Sequence, residues 1–151
     1  MTKVPLWIPF FLAFFAFLFS SAIFSTFRLF YFAPFLAIVL QRLPLQKSLW
    51  IASFCGLALD LLSTATHFGL YSLLTVACAL LAYRFKRWFF EESLFSIPLY
   101  TALISSIFVL LQWVVLIRAP LWMPLFDALY AFLWFTCPIL LYNLLIKRKF
   151  S

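Results

Sequence analysis

The stretch Ser48-Leu-Trp-Ile-Ala-Ser-Phe-Cys55-Gly-Leu-Ala-Leu-Asp60-Leu-Leu-Ser-Thr-Ala-Thr-His67-Phe-Gly69-Leu70, running on to Tyr83, decides the fold. From Ser48 to Tyr83 its one carboxylate is Asp60, and no lysine or arginine interrupts it. It is long enough to cross a bilayer twice at about 20 residues per helix. The break between the two crossings is expected at Thr64-Ala-Thr-His-Phe-Gly69, where small, polar and glycine residues cluster. A carboxylate at the centre of a membrane helix costs about 2.5–3.5 kcal/mol on insertion scales. Such a residue faces a protein interior or a wet cavity and marks a candidate site.

The flanking sequence extends the pattern. The chain has 151 residues, 68% of them hydrophobic and 10% charged. A soluble domain is about half apolar and a quarter charged, so this inventory cannot clothe a water-soluble surface. The expectation is an all-α polytopic membrane helix bundle, residues 1–151 forming a single integral membrane domain. Pro5 to Phe27 makes a first span, and its uncharged run is too long for a removable signal peptide. Ser93 to Ile117 and Pro120 to Ile146 make the last two spans. Pro120 and Pro124 suit a helix start.

Leu29 to Gln41, bracketed by Arg28 and Arg42, is only 13 residues long. That is roughly 20 Å of helix, short of a hydrocarbon core near 30 Å. Pro34-Phe-Leu-Ala-Ile-Val-Leu40 reads as a buried helical stretch, which favours six helices with a short second one over five spans. With six spans and a cytoplasmic N-terminus, nine basic residues lie inside and only Arg28 and Arg118 outside. Five spans with the N-terminus outside give the same ratio. The positive-inside rule thus fixes everything after Arg42, including a cytoplasmic C-terminus.

Gly56, Asp60, Ser63, Thr64 and His67 fall at offsets −4, 0, +3, +4 and +7, which share one helix face. This polar stripe is expected to turn toward other helices. Gly56 allows close backbone approach, and serine and threonine bond across helices. Internal glue stands slightly ahead of a ligand, ion or partner site. A buried acid needs a cation or several donors. His67 has no second ligand nearby, so no metal is expected.

Asp127 is expected in the first turn of the last helix, where negative charge is favourable. Asp60 and Asp127 could form a protease dyad only if they met. The Gly-x-Gly-Asp pattern is absent, and the two acids are expected at different depths. No catalytic residue and no cofactor follow. Arg84-Phe-Lys86-Arg87-Trp88-Phe-Phe-Glu-Glu92 reads as a short interfacial helix with Arg87 and Glu91 at i,i+4 spacing. Arg84, Lys86 and Arg87 would anchor on lipid or dock a cytoplasmic protein. The net charge of +7 reflects such anchors, not nucleic-acid binding. Cys55, Cys78 and Cys137 lie in apolar runs and suggest neither a disulfide framework nor a zinc site. The dense phenylalanines of the first span read as lipid-facing filler.

A Pro-led short helix (Pro34 to Leu40), a basic turn, Ala52, Gly56, Asp60-Leu-Leu-Ser and Gly69-Leu70 together resemble the rod shape-determining protein MreD family. The specific part covers roughly Pro34 to Arg87. Ala52 and Thr64 stand where the family commonly has glycine, Phe35 stands where a polar residue often follows the proline, and the interval from Asp60 to Gly69 is one residue longer. The resemblance implies a fold similar to the substrate-binding subunits of vitamin transporters. It implies a non-enzymatic scaffold of the cell-elongation machinery, linking an MreC-like protein on the periplasmic side, an MreB-like cytoskeletal protein and peptidoglycan synthases. Gly56, Asp60 and Gly69 match the family positions. The alternative from another class is the substrate-binding membrane subunit of a small-molecule importer.

Overall fold

A computed structural model describes residues 5–23, 30–62, 68–88, 96–116, 121–137 and 141. Among them every regular element is helical: α1 (Trp7–Ile23), α2 (Ala33–Arg42), α3 (Leu45–Leu62), α4 (Leu70–Arg84), α5 (Ser96–Leu116) and α6 (Met123–Ala131). A 3-10 turn, Lys86–Trp88, follows α4, and a π-helical turn, Phe132–Thr136, prolongs α6. The six helices and the α3–α4 break match the sequence reading.

The central element is the short one. All residues of α2 from Ala33 to Leu40 are buried, as befits a helix that is apolar on every side. Pro34 lies in its first turn, where a missing N–H costs no intrahelical bond. Its stop is equally local. Leu43 is extended (φ −107°, ψ 156°) because Pro44 disfavours helical backbone in the preceding residue.

The other helices wrap this core. α3 pairs most extensively with α4, and α5 with α6, while α5 also packs against α2 and α4. α1 meets α2 and the turn before it through aromatic contacts: Phe10 on Phe35 at 5.3 Å and Phe17 on Tyr31 at 6.1 Å between ring centroids. The reading of the first-span phenylalanines as filler therefore needs correction. Phe11, Phe15 and Phe19 are exposed, whereas Phe10, Phe14 and Phe17 pack against the core. Spacing near 3.6 residues per turn separates the two sets.

The buried set is mostly apolar but includes several polar groups, and many large apolar side chains lie on the surface. Ser48, Thr75, Thr101, Ser105, Gln112 and Thr136 are buried. Trp50, Phe54, Leu73, Leu110, Val114 and Leu125 are exposed. Ser96–Val115 is long and apolar enough to cross a membrane, with mean hydropathy 1.8 over 20 residues. The remaining apolar helices are shorter among the described residues.

Candidate functional site

Asp60 lies two residues before the end of α3, which stops at Leu62, and is 5% exposed. The carboxylate reaches the start of α4. The Tyr71 backbone N–H donates to Oδ1 and the Ser72 backbone N–H to Oδ2, each at 3.0 Å. The first N–H groups of a helix have no partner inside it. Gly69, the residue before α4, has no side chain to offer, and its backbone is left-handed at φ +93°. Asp60 therefore supplies from the neighbouring helix the acceptors that an N-cap side chain would supply locally. The positive end of the α4 dipole also faces this carboxyl group.

Gly56 makes this reach possible. A Cβ built there would fall 2.3 Å from Thr75 Oγ1 and 2.4 Å from Ser72 Cα. No side chain fits, so the two backbones cross in near contact. Ala52, one turn earlier, is fully buried, and its carbonyl accepts a hydrogen bond from Thr75 Oγ at 3.0 Å. Ser53 and Ser72 join their hydroxyls at 3.2 Å. Ala52, Gly56 and Asp60 thus form one ridge at four-residue spacing, seated on Tyr71, Ser72 and Thr75.

The structure brings together Gly56, Asp60 and the approach to α4 at Gly69. Ser63, Thr64 and His67 lie outside the described residues, as do Glu91, Phe89 and Phe90. Of the basic trio, Arg84 and Arg87 are exposed. Lys86 is not free: its Nζ donates to the Leu43 carbonyl at 3.3 Å and lies 5.1 Å above the Tyr83 ring. The described part of the expected interfacial helix is only the 3-10 turn, although Trp88 is 79% exposed, as a headgroup-level residue would be.

Asp127 needs the largest correction. It is the fifth residue of α6, past the first turn, and is fully buried. Helix numbering explains the shift, since Trp122 and not Pro124 occupies the N-cap position. The Ser105 hydroxyl of α5 donates to its Oδ2, and the Phe30 backbone faces the carboxyl group. Its Oδ1 and the Tyr130 hydroxyl have no hydrogen-bond partner. The Tyr130 ring packs edge-on against Tyr31 at 5.6 Å and Phe135 at 5.9 Å.

Phe108 stacks on Phe30 at 4.1 Å, beside Asp127, and on Tyr71 at 6.5 Å, beside Asp60. One aromatic column therefore links the surroundings of both acids. Their bonding partners are separate, with Asp60 on α4 amides and Asp127 on an α5 hydroxyl. That arrangement gives two helix-joining acids rather than a shared dyad. Ser105 and Tyr130 went unread in the sequence. The available signals were a Ser-Ser pair inside an apolar helix and a tyrosine three residues after an acid. Among the described residues no cluster of three metal-ligating side chains occurs.

Comparison of the chain with protein-family models, with curated proteins and with solved structures found no match.

Proposed function

We propose that the chain is a multi-pass protein of the bacterial inner membrane that acts as a non-enzymatic scaffold in cell elongation, as the MreD resemblance implies. The membrane reading is supported by the apolar surface of the bundle. Side chains that water would drive inward point outward on five helices, around a core that is itself mostly apolar. Exposed apolar area on this scale marks a membrane or a partner.

One observation carries the scaffold reading. Both oxygens of Asp60 accept backbone amides at the start of α4. The residue that suggested transport or catalysis is thereby used to hold two helices together, at the very positions that carry the resemblance. Crosslinking in cells tests the reading. Capture of an MreC-like protein, an MreB-like protein or peptidoglycan synthases is expected, and capture of an ATPase-coupling subunit would replace the scaffold by the importer.

The importer reading has one observation of its own. Asp127 Oδ1 and Tyr130 OH are buried, unmatched polar atoms among Phe30, Phe108 and Tyr31. Small-molecule sites combine apolar walls with a few placed polar groups. A thermal-shift screen of water-soluble vitamins against the purified protein examines it, and a flat response removes it.

A further inference from the structure

The α2–α3 turn and the end of α4 lie 43 residues apart in sequence and are fastened together by Lys86 Nζ on the Leu43 carbonyl. This bond gathers cations from two segments at one end of the bundle. Arg42 and Lys47 come from the first, Arg84 and Arg87 from the second, and all four are exposed. The apolar surface below them follows the same helix faces. On α3, Lys47, Trp50 and Phe54 stand at offsets 0, +3 and +7, and all are exposed. On α4, Arg84, Leu81, Leu80 and Leu73 stand at offsets 0, −3, −4 and −11, and all are exposed. These offsets share a face. Each stripe is therefore a cation at the end of a helix with apolar surface running away from it.

From this juxtaposition we infer that the Lys47–Arg84–Arg87 end is a binding site for an anionic phospholipid, headgroup phosphate on the cations and acyl chains along the two stripes. A free phosphate would use the cations and ignore the stripes. A neutral lipid would use the stripes and ignore the cations. A doubly anionic lipid such as cardiolipin fits best, because the cations arrive from two turns and can meet two phosphates. Basic groups at helix ends on the cytoplasmic side recognise such headgroups. Lys86 holds the two turns in place and is a positioning residue. The inference rests on the membrane reading and is independent of the scaffold role.

The test uses the full-length protein, purified in detergent, with native mass spectrometry counting retained lipids. Cardiolipin and phosphatidylcholine are supplied at equal concentration, and membrane fractionation of the expressing cells is run alongside. Preferential retention of cardiolipin is expected. It should fall about fivefold for each cation removed, so Lys47→Gln/Arg84→Gln/Arg87→Gln loses on the order of a hundredfold. Trp50→Ala/Leu81→Ala should weaken it as well, while keeping the cations. Equal retention of the two lipids overturns the inference, as does an unchanged triple variant. Displacement of cardiolipin by inorganic pyrophosphate would show a phosphate site instead. Loss of a co-purifying protein with lipid retention intact would show a protein dock. Absence of the protein from the membrane fraction would sink the membrane reading itself, which separates the two failures.

Discussion

At the α3–α4 junction a carboxylate meets backbone; at the α5–α6 junction a carboxylate meets a side chain. Asp60 bonds two amides of α4, and the helices around it touch through Ala52 and Gly56. Asp127 bonds the Ser105 hydroxyl, and its surroundings are aromatic. The first arrangement satisfies groups that every helix start leaves open. The second leaves one carboxyl oxygen and one phenol unmatched. A small-residue ridge therefore produces a tight, fully bonded seam, whereas bulky side chains hold an acid in a looser polar setting. The two seams should respond to substitution in different ways.

Gly56 is where the largest effect is expected. Any Cβ there meets α4 backbone at 2.4 Å, which a side-chain rotation cannot relieve. Gly56→Ala should destabilise the bundle by about 3 kcal/mol, the upper part of the overpacking range, and Gly56→Leu should abolish folded protein. Unfolding of purified protein in mixed micelles, followed by tryptophan fluorescence, measures both. A Gly56→Ala variant of wild-type stability would mean that the helices do not cross here.

Asp60 comes next. Asp60→Leu removes both acceptors and strands two amides, at about 1–3 kcal/mol for each buried group. Asp60→Asn keeps one carbonyl acceptor and should cost about half as much. The order Leu worse than Asn is the signature of capping, and both should exceed any single substitution in the Arg84–Trp88 segment. Neither should alter topology, which the basic segments set. A reporter fused after Ser151 should read cytoplasmic in both variants.

These two predictions show why the α3–α4 seam was readable in advance. Gly56 and Asp60 are one turn apart in a run with no other charge, so spacing alone marks an inward face. How far back the seam runs was not readable. The polar stripe began at Gly56, while the observed contacts continue to Ala52; Ser63, Thr64 and His67 lie outside the described residues. Which end of α4 crosses α3 depends on the turn between them, and no single-sequence pattern encodes that crossing. The core role of α2 was legible because an uninterrupted apolar stretch between arginines has no polar face to expose. Asp127 was misplaced for a related reason. Proline marks the start of a helix only to within a few residues, and that shift moves the acid from the first turn to a buried second one.

The α5–α6 seam should be the more tolerant of the two. Interhelical side-chain bonds in membrane proteins average about 0.6 kcal/mol, so Ser105→Ala should cost about that much. Asp127→Asn keeps an acceptor for Ser105 and gains donors for nearby acceptors, so it should cost less than Asp60→Asn. Equal losses in the two asparagine variants would erase the contrast between the seams.

Gly69 provides the finest distinction, because it separates conformation from space. A Cβ at Gly69 meets nothing within 4 Å, yet its φ is +93°. Gly56 presents the reverse case, an ordinary helical position with no room. Gly69→Ala should therefore cost about 1 kcal/mol through backbone strain alone. Gly69→Asn should cost less, since asparagine tolerates the left-handed region better. If Gly69→Ala were as damaging as Gly56→Ala, the turn into α4 would be packed rather than merely bent. Asp60 would then cap a helix start already fixed by its surroundings. If alanine is mild and asparagine milder, the two amide bonds from Asp60 are what set where α4 begins.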